Sequence, residues 1–526
     1  MTSPRSPHSR SPSLPPQGAV SPSGRPFGTD MRAKARCAIS ATVATTAILT
    51  LLGGCMLGPD YQRPPVDAPK AFIYEAKDAA DTVNTEWWRQ FSDPVLDALI
   101  AEALAHNLNV KVAAANVEQA AGVLTQTRSA LFPQVGYDAI GGRARTTESG
   151  VSPEVARFIA NPASSYQALL QVSWEVDLWG RIRRLSESAR ANLLATDEAR
   201  RGVILSLVAS VASNYLTLRG LDAQLVIAKQ TLGTYAESVK LFTLQFQYGQ
   251  VSQMNVAQAQ SQYETAAVQI PQIESQIAQT ENALSVLLGR NPGPIPRGKT
   301  VDQLTLPQVP SGLPSELLTR RPDLLQSEEN LIAANAQIGA AKALYFPTIS
   351  LTGAAGSSSS ALSNLFTGPA HVWSYAGQLI GPIFTFGAVS GQVAQAEGAQ
   401  RAAVYSYQLS IQNAFADVEN SLVAASKLQE QQAAQEKLVA ALKDYTRLAN
   451  LQYTGGYTSY TTVLQAEQSL FPAELGLATV RASVFSANVA IYKAMGGGWI
   501  VAADKMTTGA APMPTSELGT GPPPLF

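Results

Sequence analysis

Residues 170–178 read Leu-Gln-Val-Ser-Trp-Glu-Val-Asp-Leu, with every second side chain apolar. Successive side chains of a β-strand point to opposite faces, so this stretch predicts a strand with one apolar face. The apolar face carries Leu170, Val172, Trp174, Val176 and Leu178. The opposite face carries Gln171, Ser173, Glu175 and Asp177. Such a strand fits either a soluble sandwich or a membrane barrel whose polar face lines a water-filled lumen.

A very long helical segment is predicted directly after this strand. No proline occurs from Arg181 to Ile270. Apolar residues recur there with heptad spacing, which is typical of packed long helices, at Ile204, Val208, Val211, Tyr215 and Leu218. From Arg181 to Tyr248 a helix would extend about 100 Å, far beyond an ordinary globular helix. Gly249 predicts a bend between a descending and an ascending helix.

The same order of features occurs a second time along the chain. The matching positions are Phe132-Pro133 with Phe346-Pro347, Gly180 with Gly387, and Gly249 with Gly456. A repeat of about 200 residues is too long for a solenoid unit. It predicts two similar halves, each with a helix, two strands and two long helices. In the second half we expect the later strand at Trp373 to Phe384 and the helical bend at Gly455-Gly456.

Four strands per chain cannot close a membrane barrel, and open strand edges are not tolerated in lipid. The chain also offers no second sheet to cover the apolar face, which favours the barrel over the sandwich. We therefore expect an α+β membrane protein in which several chains share one barrel. The pattern alone does not fix their number.

The N-terminal region predicts export and lipid attachment. Residues 1–30 are rich in Pro and Ser, which predicts disorder, and we interpret them as a mis-called extension. Residues 31–54 have the basic and then apolar pattern of a signal peptide, although a membrane anchor is the alternative. Leu52-Gly53-Gly54-Cys55 resembles a bacterial lipobox, so Cys55 is expected to carry a covalent lipid such as palmitate. Met56, where an Asp would favour the inner membrane, points to the outer membrane.

The sequence gives little support for nucleic-acid binding, metal binding or catalysis. A net charge of −1 gives no basic footprint for nucleic acid. His106 and His371 lie far apart in elements of different type, and we expect no metal site, no cofactor and no enzymatic activity. Glu175 and Asp177 resemble an acid–base pair only superficially, since a lumen wall explains them better. Arg320-Arg321-Pro322-Asp323 is interpreted as the start of a helix.

Four segments carry a resemblance to a known family. They are Glu86 to Leu96 (EWWRQFSDPVL), Ser173 to Arg181 (SWEVDLWGR), Leu313 to Leu324 (LPSELLTRRPDL) and Gly381 to Phe384 (GPIF). Over residues 55–498 the chain resembles the TolC-like outer-membrane factor family, in the OprM/NodT-type lipoprotein group. The resemblance implies a homotrimer with a twelve-stranded outer-membrane barrel on a periplasmic helical barrel. It also implies a passive exit channel that works with a periplasmic adaptor and an inner-membrane RND transporter.

The duplication, the resemblance and the composition of the C-terminal tail together divide the chain into segments. The first repeat spans 55–289, the equatorial connection 290–325 and the second repeat 326–498, with a disordered tail at 499–526. Multidrug efflux is the leading function. A duct for one metabolite or metal, or type I protein secretion, is the alternative within the family. A structural periplasmic coiled-coil lipoprotein is the alternative of a different class.

The family also implies a gate at the periplasmic tips, just after the helical bend. Relatives usually carry Asp residues there, and the corresponding positions in this sequence are Thr462, Gln465 and, in the first half, Asn255. All three side chains are neutral. We therefore expect amide and hydroxyl hydrogen bonds, rather than carboxylate rings, to hold the closed tip.

Overall fold

The computed structural model describes residues 56–74, 84–147, 149, 160–310 and 314–507. The chain divides into two units, Met1–Gly54 and Cys55–Phe526, and only the second contains described residues. The extension 1–30, the signal peptide 31–54, Cys55 and Leu313 lie outside these residues. So does the part of the predicted tail from 508 onward.

The predicted order of elements occurs in both halves. The first half contains α1 (Pro94–His106), α2 (Leu108–Ser129), β1 (Gln134–Ala144), β2 (Ala163–Val176), α3 (Arg181–Gln247) and α4 (Gln253–Leu287). The second half contains α6 (Pro322–Ala343), β3 (Thr348–Ser359), β4 (His371–Ile380), α7 (Ala388–Thr454) and α8 (Tyr460–Met495), preceded by the short α5 (Leu317–Arg320) and followed by α9 (Trp499–Asp504). Helix α6 begins at Pro322, within the predicted equatorial connection 290–325.

The two longest helices match in length. Helices α3 and α7 have 67 residues each, which corresponds to about 100 Å at 1.5 Å per residue. The predicted heptad positions of α3 are all at most 1% exposed: Ile204, Val208, Val211, Tyr215 and Leu218. By length and composition α3 and α8 would be able to cross a membrane, yet about half of each apolar window is buried within the chain. We therefore interpret both as packed core helices.

The bends fall where the glycines predict them. Gly249 (φ 72°) and Gly456 (φ 77°) adopt the left-handed conformation that glycine tolerates best. Gly455 has an ordinary helical backbone and ends α7. Pro271 and Pro472 lie inside α4 and α8, which continue through them.

The four strands form one antiparallel sheet in the order β1-β2-β3-β4. Two predicted strand ends are wrong. Strand β2 stops at Val176, because Asp177 turns to cap α3 instead. Strand β4 stops at Ile380 and not at Phe384, because Pro382 has no N–H to donate to a neighbouring strand.

An aromatic cluster forms part of the core at the segment Glu86 to Leu96. Trp87 stacks on Tyr492 with ring centroids 5.2 Å apart, and Trp499 meets Trp87 edge-on at 5.9 Å. Trp499 is fully buried and begins α9, whose Asp504 pairs with Arg200. The prediction of a disordered tail from residue 499 is therefore wrong for 499–504, since burial of an indole fixes this segment.

Asp93 links the equatorial connection to α3 and to the start of α1. Its carboxylate is fully buried and accepts hydrogen bonds from the Val95 N–H (2.9 Å), the Tyr215 hydroxyl (2.7 Å) and the Lys299 N–H (3.1 Å). The Tyr215 hydroxyl in turn accepts from the Gly298 N–H at 3.0 Å. A Cβ at Gly298 would lie 2.1 Å from Asp93 Oδ1, so only glycine fits. Burial and the Asp93 carboxylate together raise the pKa of Tyr215.

We predict that Asp93→Ala destabilises the protein by about 3 kcal/mol, because it leaves two buried donors unpaired and removes the α1 cap. Tyr215→Phe removes a single hydroxyl and should cost about 1 kcal/mol. Thermal melting of the detergent-purified protein measures both effects. A melting temperature for Asp93→Ala equal to that of the wild type would contradict this role.

Candidate functional site

The two faces of the sheet differ sharply in polarity. Paired residues of neighbouring strands share a face, and one face carries Val135, Tyr137, Leu170, Val172, Trp174, Ile349, Leu351, Trp373, Tyr375 and Leu379. The other face carries Gln134, Asp138, Gln167, Gln171, Ser173, Glu175, Thr348, Ser350, Thr352, Ser374 and Gln378, with Ile140, Leu169, Val372 and Ile380 as exceptions. Tyr137, Trp373 and Tyr375 are 74–87% exposed. The apolar face is therefore open to its surroundings in the single chain.

The four predicted lumen residues fall into two pairs. Gln171 and Ser173 lie within the polar face, beside β1 and β3 residues. Glu175, at the end of β2, forms an ion pair with Arg181 at 2.8 Å. Asp177 accepts from the N–H groups of Ile182 (3.0 Å) and Arg183 (2.9 Å) and so caps α3. The two carboxylates thus fix the turn from strand to helix.

The N-terminal segment is attached at this same turn. The Leu57 N–H donates to the Trp179 carbonyl at 3.3 Å, and Arg184 donates to the Leu57 carbonyl at 3.0 Å. A Cβ at Gly180 would lie 3.0 Å from the Met56 Cα, so this close approach requires glycine. The residue that follows Cys55 is therefore held at the boundary between sheet and helices.

The helices form a wall with two open edges. Near the bends the packing order is α4, α3, α8, α7, and nearer the sheet it is α2, α3, α6, α7. Each order ends at α7 on one side, and β4 is likewise the last strand of the sheet. Exposed apolar side chains mark these edge helices: Leu108 and Val112 of α2, Met254, Val268 and Val286 of α4, and Tyr405, Leu409 and Leu451 of α7.

The predicted gate residues lie directly after the bends. Asn255 is in the first turn of α4, where its Oδ1 accepts from the Ser252 hydroxyl at 2.8 Å. The Thr462 hydroxyl lies 2.8 Å from that of Thr458, and Gln465 is exposed one turn further along α8. The structure thus places Thr462 and Gln465 on one side of α8, turned away from its buried residues Val463 and Leu464, and leaves Asn255 on another helix.

Sequence reasoning missed Glu467, a buried carboxyl two residues beyond Gln465. It is 9% exposed, and its Oε2 has no hydrogen-bond partner among the residues that the structure describes. Burial raises its pKa from 4.5 to about 7. The helical spacing in the sequence could have predicted this burial. Position 467 follows Leu464 by three residues and precedes Phe471 by four, and both of these are core residues.

Within the described ranges, no group of three His, Cys, Asp or Glu side chains is arranged to hold a metal ion. His106 ends α1 and His371 begins β4, so the two described histidines belong to different elements.

Comparison with known proteins agrees with this architecture. The family described as Outer membrane efflux protein matches residues 99–290 and 313–497. The antibiotic efflux pump outer membrane protein ArpC of Pseudomonas putida is 39% identical over 473 residues, which are 87% of this chain and 95% of ArpC. The cation efflux system protein CusC of Escherichia coli is 35% identical over 454 residues, which are 85% of this chain and 96% of CusC.

A solved structure gives the same result at the level of the fold. The open state of the MtrE outer membrane channel of Neisseria gonorrhoeae matches with a TM-score of 0.76 and 32% identity, covering 84% of this chain and 98% of MtrE. The family match covers most of the described residues, and it includes both repeats and the bends between their long helices. The chain therefore belongs to the outer membrane efflux protein family.

Proposed function

We propose that this protein is the passive outer-membrane exit channel of a tripartite efflux system in a Gram-negative bacterium. The observation that carries the proposal is a wall open at both edges, whose sheet exposes an apolar face and a polar face. Closing such a wall with further copies produces a duct with lipid outside and water inside. The sheet then spans the outer membrane, and the long helices extend about 100 Å into the periplasm.

The channel is a homotrimer in this proposal. One chain supplies four strands, so three chains supply the twelve strands that the family resemblance implies. Membrane barrels need every strand edge paired, which is achieved when β4 of one chain meets β1 of the next. The same step around the ring brings α7 against α2 and α4 of the neighbouring chain, where the exposed apolar residues lie.

Cys55 carries the lipid anchor. The neighbouring Met56 is held beside Gly180, where β2 gives way to α3. A lipid on Cys55 therefore begins at the level where the barrel meets the periplasm, and its acyl chains reach the inner leaflet of the outer membrane. The anchor thus reinforces the depth that the apolar sheet face already sets.

The partners are a periplasmic adaptor and an inner-membrane RND transporter, because a passive duct requires an energised pump and a link to it. The cargo is drugs or other toxic small molecules. ArpC is named for antibiotic efflux and CusC for cation efflux, so a dedicated metabolite or metal duct is the second candidate within the family.

We predict that deletion of the gene sensitises the host to several unrelated antibiotics, dyes and detergents, because a multidrug duct serves chemically different cargoes. Wild-type protein should restore resistance, whereas Cys55→Ala should not, since it loses the lipid. Cys37→Ala is the matched control, because Cys37 lies in the predicted signal peptide and leaves with it.

A susceptibility panel that includes copper, silver and aromatic acids separates the alternatives. Sensitisation to one class alone would indicate a dedicated duct. An unchanged panel would contradict the efflux role, and full complementation by Cys55→Ala would contradict the role of the anchor.

We predict that Gln465→Asp makes the channel conductance sensitive to block by divalent and trivalent cations, because three copies would place a carboxylate ring at the tip. Planar-bilayer recordings with added cations measure the block. The control is Gln429→Asp, which adds the same charge to an exposed position of α7 far from the bend. Equal block of Gln465→Asp and the parent would mean that Gln465 does not line the gate.

A further inference from the structure

Glu467 occupies an unusual position in the wall, close behind the proposed gate. Its side chain lines a cavity of about 410 Å³ between α3, α7 and α8. The Tyr235 hydroxyl donates to the Glu467 backbone carbonyl at 3.3 Å, and not to the carboxyl group. Because Oε2 is buried without a hydrogen-bond partner among the described residues, ionisation would leave this oxygen without a donor to compensate its charge.

The charged and titratable groups around the cavity do not neutralise this carboxyl. On α3 the facing group is Tyr235, and on α8 the neighbours are Tyr460 and Glu474. On α7, Lys443 is already paired with Glu474 at 2.9 Å. At the far end of the cavity Arg481 pairs with Asp302. Burial alone shifts the pKa of Glu467, and no charged neighbour contributes to the shift.

We propose that Glu467 is a proton-operated latch, whose neutral form allows α8 to remain packed against α3 directly behind the gate. When the carboxyl is protonated it can remain buried, and the two helices stay packed. When it is ionised it must be hydrated, so the packing loosens and the segment that carries Thr462 and Gln465 is released. This inference rests on the proposed function only for its consequence, the opening of the exit channel. The packing change itself does not depend on it.

The direction of the pH effect follows from the raised pKa. A carboxyl that binds its proton more tightly in the packed state stabilises that state. The stabilisation is fully present at a pH below the ordinary pKa of the group, 4.5. This stabilisation is lost as the pH rises to about 7 and is absent above that. Between these limits the ratio of packed to loosened protomers should fall at most about tenfold per pH unit. Acid therefore favours the closed tip, and neutral pH permits opening.

Hydrogen exchange measured by mass spectrometry on the purified full-length protein tests the latch. Peptides covering 460–470 and 235–242 are followed from pH 5 to pH 8, with rates corrected for the intrinsic pH dependence of amide exchange. In the wild type we expect the protection of these peptides to fall about tenfold or more between pH 5.5 and 7.5. Glu467→Gln keeps the size of the side chain but cannot ionise. In this variant we expect the protection of both peptides to stay, at every pH, at the level that the wild type shows at pH 5.5.

Glu264→Gln is the matched control, because Glu264 is an exposed acid on α4 of the same helical region. It should retain the wild-type pH dependence. A flat wild-type profile, or an unchanged slope in Glu467→Gln, would overturn the latch. The readout needs neither pump nor conductance, so the latch and the efflux role can fail separately.

Discussion

The architecture depends on one constraint, that peptide groups in lipid must find their hydrogen bonds within the protein. A sheet of four strands has two open edges, and each edge presents a row of unpaired N–H and C=O groups. In water these groups are solvated, but in a membrane each would cost several kcal/mol. The proposed association with further copies would remove this cost. The helical wall has two open sides as well, so the same association would close it along with the sheet.

The turn at the end of β2 makes sheet and helix wall a single body. Trp179 donates from its indole to the Pro347 carbonyl at 2.8 Å and stacks on Phe346, which joins the first half to the second. Asp177 caps α3, and Glu175 pairs with Arg181 on its first turn. The chain segment after Cys55 is held at this turn as well. One short region therefore sets the orientation of the strands, the helices and the N-terminal segment together.

Two buried carboxyls in this chain show how surroundings decide the role of an acid. Asp93 accepts three hydrogen bonds, so its charge is compensated and its role is to hold neighbouring segments together. Glu467 is also buried, although less completely, and one of its oxygens has no partner among the described residues. Desolvation without compensation favours the neutral form, which makes the carboxyl responsive to pH in the range that a periplasm experiences.

The sequence by itself determined the order of elements, the duplication, the bends at Gly249 and Gly456 and the heptad core of α3, because these follow from local spacing of apolar residues, proline and glycine. It also predicted the family, since four motifs occur in the right order. Tertiary structure decided what depends on contacts between distant residues. Asp177 became a helix cap and Trp499 became part of the core, because their partners lie in other elements. Only the packing of α3, α7 and α8 could show that Glu467 is buried, since a Glu at a heptad position is exposed or buried according to the helices that face it.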